Sequence, residues 1–266
     1  MPVHPPTSPP GAATRPPSVS ARLHDGPVLE VALLTAGLLE ELHPLLRELA
    51  ARDPRAHWQR AASTAALLRA VGADPCRALA LAARERALDG DVHVRAEGSD
   101  PDTAALRHAL RVACVLRTAA AAGRAPERED AERYVHEQSA GAVLLGAEPD
   151  DLPGCLTEVD ADLERVRRDA TGAPEPGPLR PVGSDGAVDG HGDRRGARGR
   201  TPLPAPRGAP RPWVRATGLA VALLPGWARE LFAGAPEGAD LGGDDLRAAL
   251  VGLPSLEAAA GFRPRP

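Results

Sequence analysis

Three Asp-Pro pairs, Asp53-Pro54, Asp74-Pro75 and Asp100-Pro101, each stand in front of a segment rich in Ala, Leu and Arg. An aspartate carboxylate accepts hydrogen bonds from the unpaired N–H groups of a first helical turn, and proline suits the first helical position because its φ is fixed and it has no N–H to satisfy. Each pair therefore reads as a helix start, giving helices over roughly 54–71, 75–88 and 101–121. Gly72, Gly90 and Gly123 follow at the places where a left-handed C-cap ends a helix.

The flanking segments carry the same pattern. From Pro27 to Ala51 the apolar residues Val28, Val31, Leu34, Leu38, Leu42, Leu45, Leu46 and Leu49 recur at three- and four-residue steps, the period of a helix burying one face. Pro44 kinks or splits that helix. Pro126 opens another, with Glu127, Glu129 and Asp130 at the positive end of the dipole and Gly146 closing it. A further helix runs from about Asp151 to Asp169. Runs of β-branched and aromatic residues bounded by turns are missing from this span, so strands lack support and the fold class is all-α.

Gly and Pro, 27 and 29 residues, are unevenly placed. Seven prolines precede position 18, and residues 171–212 hold nine prolines and nine glycines. Such stretches bury too little apolar surface to offset the entropy of ordering. The expected organisation is a disordered tail over 1–20, a helical domain over 21–170, a disordered linker over 171–212, and C-terminal helices over 213–260 that dock on the same domain.

Charge and composition exclude several classes of function. With 32 basic and 36 acidic residues the net charge is -4, which disfavours a nucleic-acid binder. Six aromatic residues are too few for a base-stacking sheet. Cys76, Cys114 and Cys155 lie far apart without CxxC spacing, so neither a disulfide framework nor a cysteine zinc site is indicated and a reducing cytoplasm fits. The N-terminus lacks the apolar core of a signal peptide. The most apolar runs, Val31 to Leu39 and Ala216 to Leu224, fall far short of the ~20 residues that span a bilayer. GxGxxG before a helix, GxxxxGK[ST], HExxH and GxSxG are all absent.

Among the histidines, His108 sits mid-helix among Leu106, Ala109, Leu110 and Val112, a setting in which an imidazole can ligate a metal or haem iron. A satisfied core histidine explains the same spacing. Arg60 and Thr64 share a helix face at i, i+4 near Trp58 and could hydrogen-bond a bound acid or oxygen species; a solvated Arg and a helical Thr are the alternative. Arg133 and Glu137 are spaced for a surface ion pair beside the sole tyrosine, Tyr134. Arg194, Arg195, Arg198 and Arg200 keep the linker solvated, or attract an acidic partner.

The segment AERYVHEQSAGAVLLGAEPDDLPGCLTEVDADLERV resembles the MpaB-like family, the helical domain shared with latex-clearing rubber oxygenases. The order upstream is similar too: a helix ending in His43-Pro44, then Asp53-Pro54 followed by Arg60 and Thr64, then Asp100-Pro101 with His108-Ala109. Downstream, AVALLPGWARELF resembles the family's late LLP-W-R helix. The resemblance covers about residues 25–170 and 211–256.

It implies an all-helical fold that holds haem b through a histidine and uses dioxygen to oxidise or cleave an apolar small molecule, with a redox partner left unidentified. On that basis His108, or else His93 just after Gly90, ligates the iron, and Arg60 with Thr64 lines the distal side. Relatives carry an HxxV-x-G element after the third helix with the iron-binding histidine in it; the matching stretch here is Glu85 to Gly90, which has no histidine. The alternative is a haem-free helical scaffold that binds an apolar ligand or a protein partner.

Overall fold

The computed structural model describes residues 18–53, 55–93, 102–172, 201–202, 208–233, 241, 243–254 and 256. Within them the chain is all-α. The helices are α1 (Val19–Leu23), α2 (Val28–Glu40), α3 (Pro44–Arg52), α4 (His57–Ala73), α5 (Pro75–His93), α6 (Asp102–Ala121), α7 (Arg128–Leu144), α8 (Leu156–Thr171), α9 (Arg211–Leu223), α10 (Gly226–Leu231) and α11 (Gly243–Val251). A parallel bridge of two residues a side pairs β1 (Thr201–Pro202) with β2 (Phe232–Ala233).

The architecture is organised around α2. Its sequence, VLEVALLTAGLLE, is apolar on every face, and a helix of that kind must be covered all round. α4, α6 and α9 do so, α5 packs on α4, α8 on α6, and α7 bridges α1, α4 and α6. α9 thereby brings the C-terminal part of the chain onto the first helices, and α11 closes over α9 and α6. Leucines and alanines fill most of the core, with Trp213, Tyr134 and Phe232 its largest fully buried side chains. Glu30 intrudes on the buried helix at 2% exposure and is neutralised by both terminal nitrogens of Arg69, each at 2.8 Å. No helix among the described residues is long and apolar enough to cross a membrane.

Several local expectations change. Pro44 does separate two helices, with the His43 ring accepting from the Leu46 amide at the α3 N-terminus. Asp74 caps α5 by accepting from the Arg77 amide at 3.0 Å. Asp53 is not a cap, because α4 starts four residues later at His57 and the Asp53 carboxylate is taken by the Arg55 amide and guanidinium. Gly123 and Gly146 terminate their helices with φ of +73° and +98°, whereas Gly72 and Gly90 stay inside α4 and α5, which run on to Ala73 and His93. The helix placed from Asp151 begins at Leu156, preceded by a 3₁₀ turn over Pro149–Asp151.

At the N-terminal edge, α1 starts two residues inside the stretch assigned to a tail, capped by Ser18, and runs on into the assigned domain. Glu137 does not pair with Arg133. It accepts from the Ser20 amide and hydroxyl at 2.7 and 2.6 Å and from the Val19 amide at 3.2 Å, tying α7 to α1. Arg133 pairs instead with Glu129 and Asp130. Residues 1–17 of the expected tail, 173–200 and 203–207 of the expected linker, and the arginines at 194–200 lie outside the described residues.

Candidate functional site

Where α2, α3, α4, α5, α6 and α7 converge, their side chains surround a cavity of about 90 Å³ that opens to one side. α4 contributes Arg60, Ala61 and Thr64 from successive turns, and α6 contributes Thr103, Arg107, His108 and Arg111. Glu40 of α2, Glu85 of α5 and the Asp53–Arg55 connection complete the polar wall, while Leu33, Leu49 and Leu145 are the larger apolar side chains in it. Gly37 permits the close approach of α2 to the start of α4: a Cβ there would stand 3.1 Å from His57 Nδ1. His57 in turn bonds Glu41 at 3.0 Å.

A buried ion cluster forms one side of the cavity. Arg55 donates from Nε and Nη2 to Asp53 at 2.8 to 3.2 Å and from Nη1 to both Glu85 oxygens at 3.0 and 2.8 Å. The side chains of Asp53 and Glu85 are each only 8% exposed. Burial pushes the Asp53 carboxyl up, but the hydrogen bonds and charge of Arg55 outweigh it and hold the group below its ordinary value. Burial also works against the Arg55 charge, and its two carboxylate partners more than reverse that effect. Glu85 is therefore held as half of an ion pair.

The next residues are less well satisfied. Arg60 donates from Nη1 to the Arg55 carbonyl at 3.1 Å, and its buried Nη2 has no hydrogen-bond partner. Arg107 Nε lies 3.5 Å from Glu40, an ion contact without a hydrogen bond. His108 is 5% exposed, and its buried Nε2 has no partner. Burial, with Arg111 adding to it, lowers the His108 pKa to about 4, so at neutral pH the ring is uncharged and one nitrogen keeps its lone pair. Unpaired buried polar atoms in one cavity are costly and point to a ligand or water that satisfies them.

Sequence reasoning thus brought Arg60, Thr64 and His108 to one cavity, and the structure adds Arg55, Asp53 and Glu85 to the same wall. The partnership of Arg55 was hidden because Asp53-Pro54 read as a helix cap, and nothing in sequence spacing joins Arg55 to Glu85, thirty residues away. His93 is the last residue of α5. Glu85 to Gly90, the stretch matched to the histidine-bearing element of the resembled family, lies inside α5, and residues 94–100 after His93 lie outside the described residues.

The donor set suits an iron porphyrin: uncharged imidazole is the usual protein ligand to haem iron, and guanidinium groups complement acidic substituents and polarised oxygen. Among the described residues no group of three or more His, Cys, Asp or Glu side chains is arranged to hold a bare metal ion. The sequence model of one protein family, described as ER-bound oxygenase mpaB/B'/Rubber oxygenase, catalytic domain, matches residues 21–249. No curated protein and no solved structure matches the chain significantly.

Proposed function

Because the chain belongs to the family of the ER-bound oxygenase mpaB/B' and rubber oxygenase catalytic domain, we propose that it is a haem b oxygenase acting with dioxygen on an apolar small molecule. The observation that carries this reading is the polar cavity among α2, α4, α5 and α6, in which Arg60 and His108 keep buried atoms without partners. His108, which lines that cavity, is the proposed iron ligand, with His93 at the end of α5 as the alternative. When bound, haem supplies the iron at which dioxygen is activated.

The protein's own residues do the rest. Arg60, fixed by the Arg55 carbonyl, offers Nη2 as a charge-assisted donor to a reduced oxygen species or a carboxylate, and Thr64 adds a hydroxyl one turn along. His108, held uncharged by burial, keeps at Nε2 the lone pair with which it would hold the iron. Arg55 keeps Asp53 and Glu85 from competing for those donors by holding both carboxylates itself. Leu33, Leu49 and Leu145 give an apolar substrate its contact with the cavity.

The visible spectrum of protein expressed with a haem precursor, with iron analysis of the same sample, tests the proposal. Stoichiometric haem with a Soret band supports it, and His108→Ala should lose the band while His93→Ala keeps it. Folded, colourless, iron-free protein sinks it. That outcome would favour the second reading, a haem-free scaffold, for which one observation speaks: the described walls enclose about 90 Å³, against roughly 300–1,000 Å³ for pockets that hold cofactor-sized ligands.

A further inference from the structure

Four guanidinium groups and three carboxylates line the main cavity: Arg55, Arg60, Arg107 and Arg111 on one side of the balance, Glu40, Asp53 and Glu85 on the other. The carboxylates are already engaged. Arg55 bonds both Asp53 and Glu85, and Arg107 lies against Glu40. Of the two histidines in the wall, His57 is bonded to Glu41, and burial holds His108 uncharged. Arg60 is left over. Its one side-chain hydrogen bond among the described residues runs from Nη1 to the Arg55 carbonyl, which carries no net charge, and its buried Nη2 has no partner. Asp53 feels the Arg60 charge, but the Asp53 oxygens are bonded by Arg55. A guanidinium largely shielded from water without a bonded counter-ion is costly, and the described wall is short of one negative charge.

We propose that this cavity binds a carboxylic acid with an apolar chain, its carboxylate bonded by Arg60. The start of α4 favours an anion here: His57 and Arg60 of its first turn line the cavity, that turn carries no acidic residue, and the N-terminal end of a helix is its positive end. Thr64, one turn further along α4, and Thr103 of α6 add buried hydroxyls to the same wall. Leu33, Leu49 and Leu145 supply apolar area for the chain. Volume sets the size of what enters. A space of about 90 Å³ takes about six waters at roughly 10–15 Å³ each, or a carboxylate with the first few carbons of a chain, and the open side lets a longer chain extend. One excess positive charge matches a monoanion and pairs well with a carboxylate, whereas a phosphate would bring a second negative charge for which this wall has no further cation.

For the proposed oxygenase, this names the substrate class as an acid rather than a neutral hydrocarbon. Arg60 then serves the carboxylate and not a reduced oxygen species. With one end fixed at Arg60, the apolar chain is held in one direction, so oxidation falls at a set distance from the carboxyl end. That use rests on the oxygenase reading; the acid site itself does not.

Isothermal titration calorimetry of the full-length chain at pH 7 with octanoate and with 1-octanol tests the site, with the visible spectrum of the same sample recorded beforehand. The two probes share chain length and differ in charge. Octanoate should bind at least about tenfold more tightly than octanol, and Arg60→Met should bring octanoate down to the affinity of octanol. A merely structural role for Arg60 weakens both probes alike and leaves the preference. Equal affinity of the two probes in the wild type overturns the proposal, as does no octanoate binding at millimolar concentration. A preference that survives in folded Arg60→Met overturns it as well, since the acid is then held elsewhere. Should that variant not fold, Arg60→Gln, which keeps a donor for the Arg55 carbonyl and removes the charge, is held to the same criterion. The expected results in a colourless protein keep the acid site and reject the haem reading; a Soret band without the octanoate preference does the reverse.

Discussion

Replacing Arg55 by methionine removes a cation that bonds both Asp53 and Glu85 while keeping most of the side-chain volume. Wild-type Arg55 makes five donor contacts to the two carboxylates between 2.8 and 3.2 Å, and the carboxylate side chains are each 8% exposed. Breaking a buried ion pair from one side costs about 3–5 kcal/mol, since the remaining charge stays buried without compensation. Against a typical total of about 5–15 kcal/mol, that is a large loss. Urea denaturation at pH 7 measures it.

The pH dependence sharpens the test. Asp53 has its folded pKa depressed by Arg55, against the opposing effect of burial, so the stability it contributes is present above its unfolded value of about 4 and is lost as pH falls through the folded value. In Arg55→Met the carboxylate loses those bonds and burial favours its protonated form. The gap between wild type and variant is therefore widest at neutral pH and narrows on acidification below about pH 5. A gap under about 1 kcal/mol at pH 7, or one that stays constant down to pH 4, would refute the argument that this buried cluster is stabilised through Arg55.

Three further outcomes follow from the structure. Leu110 is fully buried in the main core, so Leu110→Ala should lower stability by about 2–5 kcal/mol in the same denaturation assay. Gly123 ends α6 at φ +73°, and a Cβ there would come within 2.7 Å of the Arg247 guanidinium; Gly123→Ala should cost about 1–2 kcal/mol, mostly from backbone conformation because that side chain can move, read as a lower thermal midpoint. Burial pushes the Cys114 thiol up to about 12 while Cys76 is exposed, so iodoacetamide at pH 8 should label Cys76 in the native chain and reach Cys114 only on unfolding.

Helix punctuation was legible where it depends on a residue's own backbone. Pro44, Pro75, Gly123 and Gly146 act as their chemistry dictates. The misreadings share one cause. Asp53 has the right chemistry for a cap, but a nearby arginine with a second carboxylate within reach competes for it and wins. Gly90 is permissive in a helix rather than forced out of it, so α5 continues to His93. Glu137 was read as half of a surface ion pair, although it caps α1, and the bond of His24 to the buried Tyr134 went unforeseen. Those partners lie more than a hundred residues away, which spacing along the chain cannot show.

Arg60, Thr64 and His108 were found together because each sits on the face of its own helix turned toward α2, and helix periodicity does report faces. What periodicity cannot report is how a lone pair is spent. His108 Nε2 carries one lone pair: it can bind iron or accept one hydrogen bond, but not both. The two candidate ligands diverge in a pair of variants. If His108 holds the iron, His108→Gln, which offers no imidazole, loses the Soret band while His93→Ala stays coloured. A retained band in His108→Gln, with His93→Ala colourless, would assign the iron to His93 instead.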